Sequence, residues 1–385
     1  MAADKPRVRE LVAYFLRLGL LGFGGPVALV GQMERELVAE KHWLTKEQMR
    51  EAIAVCQSLP GPLAIQVGIF VAHLRGGFWG AWAGGWAFIL PNFVIVAALG
   101  ALYVQLGDLT AISAIFYGVS PAVIALILHS CYRLAKLGME DRLQWAIAAI
   151  CFVVTAWLQA EVAWLFLGAG VIGALYYGRP PGGSTLRSAA AILVPAATQS
   201  AQWPLLAKVL GFFLKAGSLT FGSGLVIVPF LQQGVVREHG WLDERAFLIA
   251  VAIGMISPGP VVITATFVGF LVAGFWGATA ATVGIFLPSF ILVLVAAPLL
   301  ARYRANRSVQ GFIKGAYGAA IGTILGASVL LGKVAIGDVF TVLVALISLI
   351  ALFRWKTSNA ALIAVTAALG YGAYAFLHPT WLMIR

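Results

Sequence analysis

Apolar residues fill this chain in long blocks, and short polar clusters separate them. In the first half the uninterrupted blocks lie near 77–102, 111–132, 143–159 and 161–178. In the second they lie near 275–300, 310–331, 335–353 and 358–377. A membrane-crossing helix needs about 20 apolar residues, and these blocks are at or just below that length. Four further blocks, 11–31, 51–74, 208–231 and 246–272, are as apolar but carry glycine and proline at their centres. The first reads "LGLLGFGGPVALVGQ" (18–32). Glycine costs a helix interior about 1 kcal/mol and proline about 3. In lipid, backbone freed by such a break is tolerated only where protein buries it or it lines a polar cavity. The pattern therefore predicts an all-α polytopic membrane protein with broken or re-entrant helices, and the breaks mark its site.

The same pattern occurs twice. "FLRLGLLGFGGP" (15–26) matches "FLKAGSLTFGSG" (213–224), with Arg17 on Lys215 and Phe23 on Phe221. "EKHWLTKEQ" (40–48) matches "EHGWLDERA" (238–246), and "SLPGPLAIQVGIF" (58–70) matches "ISPGPVVITATFV" (256–268). "GGFWGAWAGGWAFILPNF" (76–93) then falls on "AGFWGATAATVGIFLPSF" (273–290), and Gly118 on Gly315. The expected organisation is a first repeat over 1–187, a linker at 188–207 apolar enough to add a crossing, and a second repeat over 208–385.

Charge orients the repeats. The loop at 103–113 carries no Lys or Arg, whereas "RYRANR" (302–307) carries three. "YRLAKLGMEDR" (132–142) carries three, and "GKVAIGD" (332–338) carries one. By the positive-inside rule the halves are inserted upside-down relative to each other, an inverted-topology repeat of the secondary-transporter kind. The basic N-terminus and the basic loop 31–50 both stay inside if 11–31 and 51–74 enter and return as hairpins.

Composition agrees. Of 385 residues 61% are hydrophobic and 11% charged, against about 25% charged in soluble domains, and the mean hydropathy is +0.94. The net charge of +11 sits in loop clusters, so nucleic acid is not indicated. Cys56, Cys131 and Cys151 stand alone in apolar runs and read as buried thiols. Neither a nucleotide fingerprint nor a haem or metal motif suggests an enzyme or a cofactor.

The chemistry lies at the breaks. A half-helix N-terminus bears about half a positive charge and frees N–H groups for an anion. The candidate binding residues are Gly22, Phe23, Gly24, Gly25, Pro26, Pro60, Gly61 and Pro62, with Phe221, Gly222, Ser223, Gly224, Pro258, Gly259 and Pro260 in the second half. The rival reading is that small residues only let helices pack closely; four paired clusters favour a site. Arg17 and Lys215 are cations inside apolar surroundings, which read either as substrate contacts or as side chains snorkelling to an interface. Gln66 and its counterpart Thr264, and Asn92, whose counterpart is Ser289, could donate to an oxyanion or satisfy carbonyls freed by proline. His73 and His129 read as interfacial, and Glu34 and Glu36 as solvated loop charges.

"GFGGP", "SLPGPLAIQVG", "GGFWGAWAGG…LPNF" and their second-half echoes resemble the chromate ion transporter family in its long two-domain form. The likeness covers roughly 11–130 and 209–327. It implies chromate export across a bacterial inner membrane, driven by membrane potential or proton gradient, and chromate resistance, with sulfate as the competing tetrahedral dianion. Where half one has Gly25-Pro26, half two has Ser223-Gly224, so the two sites are not identical. Alternatives are a sulfate transporter or exchanger and an anion channel. Coupling to protons and assembly as a homodimer stay open; apart from substrate, the lipid bilayer is the partner indicated.

Overall fold

The computed structural model describes residues 8–22, 25–57, 59–106, 110–158, 162–178, 205–219, 227–296, 306–355 and 357–377. Among them the chain is helical, without strands. The first half supplies α1 (Val8–Leu21), α2 (Gly25–Glu34, continued by a π turn over Arg35–Glu40), α3 (Lys46–Gln57), α4 (Leu63–Leu106), α5 (Thr110–Gly138), α6 (Arg142–Val153, continued by a π turn to Leu158) and α7 (Val162–Tyr177). The second supplies α8 (Leu205–Leu219), α9 (Ile227–Leu231, continued by a π turn over Gln232–Glu238), α10 (Glu244–Ile256), α11 (Thr264–Ile291), α12 (Arg307–Ala335), α13 (Val339–Arg354) and α14 (Asn359–Leu377). Among the described residues four stretches are long and apolar enough to cross a membrane: Leu63–Leu106, Ile112–Lys136, Val261–Val295 and Arg307–Ala335. The linker at 188–207 lies almost wholly outside the described residues.

Both long helices α4 and α11 are folded back on themselves. Gly77 (φ 63, ψ −156) turns α4, and Gly274 (φ 60, ψ −151) turns α11. A methyl group on Gly80 would lie 2.8 Å from Ala72 O, although eight residues of straight helix span about 12 Å. Across the α11 turn the Thr266 and Thr282 hydroxyls are 2.7 Å apart. Each is thus a hairpin with a short arm (63–76 in α4) and a long one.

The interrupted segments also reverse. Tyr14 on α1 meets Trp43, beyond α2, with ring centroids 5.7 Å apart, and Phe212 meets Trp241 at the same distance. The short arm of α4 passes Phe15 at Gly68 and reaches Leu11 at Gly76. So the α1–α2 unit and the unit from α3 to the short arm each start and finish beside the same stretch of α1. Both reversals fall at Gly/Pro cores, where the helix is weakest.

The outer helices show how the repeats are joined. α5 packs on α13 and α14, while its counterpart α12 packs on α6 and α7. Gly118 abuts Thr366 and Gly370, and Gly315 abuts Ala169 and Gly173, which are equivalent positions throughout. Reciprocal contacts of this form are those of an isologous two-fold interface, here between two halves of one chain. α5 and α12 lie side by side in opposite directions. Cys131 donates to Ile321 O at 3.6 Å, Tyr317 to Leu134 O at 2.8 Å and Lys314 to Glu140 at 2.5 Å, so rising positions on one helix meet falling positions on the other. The outer surface presents large apolar side chains, among them Leu90, Val94, Ile150, Trp79 and Trp276, as lipid contact requires.

Candidate functional site

Two Pro-Gly-Pro loops lie at the candidate site. Pro60-Gly61-Pro62 joins α3 to α4, and Pro258-Gly259-Pro260 joins α10 to the turn that opens α11. Gly61 (φ 131) and Gly259 (φ 84) hold backbone angles that side-chain-bearing residues rarely adopt. The flanking prolines preset the chain to start a new helix, and α4 begins at once after Pro62. Helix first turns carry N–H groups with no intrahelical acceptor, so α4 and α11 both open beside these loops.

Each loop is closed by the opposite half. Gly259 N–H donates to Gly22 O at 2.6 Å, tying the second loop to the break after α1. A methyl group on Gly259 would come within 2.6 Å of Asn92 Nδ2, and one on Gly61 within 2.8 Å of Ser289 Oγ. Asn92 and Ser289 are equivalent residues, each following the proline inside its own hairpin. The polar residue of each half therefore faces the loop of the other.

Gln66 lies by the same loop and donates from Nε2 to Pro60 O at 2.5 Å. Its counterpart Thr264 donates to Val261 O at 2.8 Å. Gly68 packs on Phe88 across the α4 hairpin, so Gln66 and Asn92 occupy neighbouring turns on facing arms.

Gln66, Asn92, Thr264 and Ser289 are all 0% exposed. Gln66 Oε1, both polar atoms of Asn92 and Ser289 Oγ nevertheless have no hydrogen-bond partner. An unpaired buried polar group costs about 1–3 kcal/mol. Four such atoms around two tight loops are a concentration that packing alone does not reward. A polar guest would satisfy them. No charged side chain hydrogen-bonds to any of the four residues among those described, so the polar groups gathered here are neutral dipoles and helix ends.

The remaining candidates are placed unevenly. Gly22 ends α1, its N–H bonded to Leu18 O at 2.8 Å and its carbonyl to Gly259. Gly25 opens α2 with Pro26 in its first turn. Phe23, Gly24, Phe221, Gly222, Ser223 and Gly224 lie outside the described residues. Arg17 stands exposed on α1. Lys215 is half-buried, its ammonium 5.8 Å from the Phe230 ring centroid. Glu36 departs from the expected solvated loop charge. The π turn carries it inward to 8% exposure, where Gln32 Nε2 donates to it at 2.9 Å. Ser289, which the sequence offers only as the counterpart of Asn92, lies in the same buried polar group.

A duplicated helical membrane protein with paired breaks around a buried polar centre belongs to the class of membrane transport proteins. The family model described as "Chromate transporter" matches residues 9–174 and 207–371. The chain is 45% identical to the chromate transport protein of Cupriavidus metallidurans, over 96% of this chain and 94% of that one. It is 42% identical to the probable chromate transport protein of Synechococcus elongatus, over 91% of this chain and 90% of that one. The chromate transport protein of Pseudomonas aeruginosa is 33% identical over 93% and 90%. No solved structure matches the chain. The chain belongs to the chromate transporter family: it is an integral membrane transport protein and not an enzyme.

Proposed function

We propose that this protein exports chromate across the inner membrane by alternating access around the paired Pro-Gly-Pro loops, and so confers chromate resistance. The observation that carries the reading is the set of unpartnered, fully buried polar atoms on Gln66, Asn92 and Ser289 beside those loops. A tetrahedral oxyanion has the acceptor oxygens to take hydrogen bonds from the Asn92 amide, the Ser289 hydroxyl and helix-end N–H groups. The names of the relatives supply chromate as the oxyanion.

Inverted topology is supported by the opposite directions of α5 and α12, equivalent helices each long enough to span. In that arrangement the α1–α2 reversal and the reversal from α3 to the short arm are re-entrant hairpins meeting near the midplane, where transporters of inverted build hold their substrate. Outward movement of an anion from a negative-inside cell gains about 2.3 kcal/mol per charge per 100 mV.

The test is uptake of radiolabelled chromate by everted membrane vesicles. Wild type accumulates chromate with saturation and loses uptake on collapse of the potential. Gly259→Ala and Asn92→Ala insert normally and lose at least about 90% of uptake, a tenfold effect matching 1.4 kcal/mol. Full uptake in both variants would remove the site. Unitary currents in planar bilayers would replace the carrier by a channel.

A further inference from the structure

Resting on the binding site just proposed, we propose that it selects the singly protonated oxyanion, hydrogenchromate, and that Asn92 and Gln66 read its proton. The argument begins with the sign of the unpartnered atoms. Gln66 Nε2 is committed to Pro60 O, and turning the amide over would set two acceptors against each other. Oε1 is therefore the free atom, and it is an acceptor. Asn92 has both Nδ2 and Oδ1 free, so whichever way its amide is turned one donor and one acceptor remain. Ser289 Oγ supplies a further donor. The pocket thus offers donors for anionic oxygens and two acceptors besides.

A fully deprotonated dianion fits the donors and leaves both acceptors facing negative oxygen. An oxyanion carrying one O–H fits the donors and pairs one of the two acceptors, where the dianion pairs neither. Sulfate keeps a proton only in strong acid. Chromate exchanges its second proton within the range of a living cytoplasm, so hydrogenchromate is present there. A site built to pair with a ligand's hydroxyl rejects the analogue that lacks it, because the buried acceptor is then left unpaired. The proton stays on the anion throughout, and no bond is made or broken.

No protein group titrates in this scheme. The charged and titratable side chains on the elements around the site are Arg9, Glu10 and Arg17 on α1, Lys46, Glu47, Arg50 and Glu51 on α3, His73 and Arg75 at the α4 hairpin tip, and Glu244 and Arg245 at the start of α10; α11 has none. None hydrogen-bonds to Asn92 or Gln66. The second half already shows how the amide oxygens, which only accept, can be replaced by hydroxyls, which can turn to donate, without upsetting the fold, since Thr264 and Ser289 stand where Gln66 and Asn92 do. Gln66→Thr and Asn92→Ser copy them.

The experiment measures initial chromate uptake by everted vesicles at fixed potential and fixed total chromate, from pH 6 to 8.5, with and without sulfate. Wild-type uptake falls with rising pH in step with hydrogenchromate, approaching roughly tenfold per pH unit on the alkaline side. Sulfate competes at least about tenfold more weakly than unlabelled chromate at pH 6.5. The double variant Gln66→Thr/Asn92→Ser retains measurable uptake, with a flattened pH profile and stronger inhibition by sulfate. Wild-type uptake that rises with pH, or equal competition by sulfate, would overturn the proposal while leaving the pocket in place. A variant identical to wild type in rate, pH profile and competition would overturn the pocket itself.

Discussion

The two halves of this protein share one backbone plan and differ in what they place at its centre. Phe15 in the first half and Phe213 in the second fill the same core position, and Gly19 and Gly217 let α1 and α8 touch the backbones of Phe88 and Ile285 in the same way. The polar positions have diverged. Gln66 and Asn92 correspond to Thr264 and Ser289, and Glu36 occupies a place where the second half has Gly234, packed under the Phe212 ring. Bulk and backbone geometry are thus held by demands that both halves meet. Polarity is free to change where a single shared guest can be served unequally. The first half carries the amides and the buried acid, and is expected to dominate recognition.

The strongest challenge to this view goes to the shared plan. Gly118 lies on Gly370, and Gly315 on Ala169 and Gly173, with helix backbones nearly touching. A leucine at either crossing forces the helices apart at a cost of about 3 kcal/mol. Gly118→Leu and Gly315→Leu should therefore lose folded, monodisperse protein in detergent to the same degree. A large loss from one and none from the other would show that the two-fold plan is not shared by the forces that hold it.

Next in size is the unequal chemistry. At the proposed site Asn92→Ala removes a donor and an acceptor, where a bond to a charged guest is worth about 1.5–3 kcal/mol, and Ser289→Ala removes one donor. Vesicle uptake should fall at least about tenfold further in the asparagine variant than in the serine variant. Equal losses would return the two halves to equal partnership in the site.

Much of this arrangement was legible before any coordinates. The duplication, the breaks at 22–26 and 58–62 and the all-helical build follow from apolar blocks punctuated by glycine and proline, because helix cost is local. The two loops could be recognised for the same reason. What could not be read is which half closes which loop. That Gly259 bonds to Gly22 and faces Asn92 depends on long-range packing that leaves no periodicity behind. The fold-back at Gly77 was hidden too: His73, Arg75 and the apolar residues around them read as the end of one run and the start of another, and only the positive φ makes them a hairpin tip. Arg17 drew notice because charge in an apolar run is costly, yet it stands on an exposed face. Glu36 was passed over because its sequence neighbours Arg35 and Glu34 are solvent-like, and the π turn that rotates it inward has no clear sequence mark.

The smallest effect concerns the helix caps, where the halves are again matched but not equal. Asp141 caps α6 by accepting from Gln144 N at 3.0 Å, and its equivalent Asp338 caps α13 by accepting from Thr341 N at 2.8 Å within a reciprocal capping box. Loss of such a cap costs about 1 kcal/mol, so Asp141→Ala and Asp338→Ala should each lower the melting temperature by a few degrees, Asp338 the more. Asp141 adds a pH signature. Partial burial pushes its carboxyl up, but the Tyr177 hydroxyl, the Gln144 and Leu143 N–H groups and nearby Lys314 together outweigh that and hold it below the usual carboxylate range. A carboxylate so held stabilises the fold fully at pH above its unfolded pKa of about 3.9, and that contribution disappears as pH falls through the folded value. Melting curves in detergent from pH 7 down to 3 should show wild type losing more stability than Asp141→Asn across the lowest unit. Parallel curves would mean that the cap in the first half, unlike the polar centre it shares a repeat with, contributes no more charged than neutral.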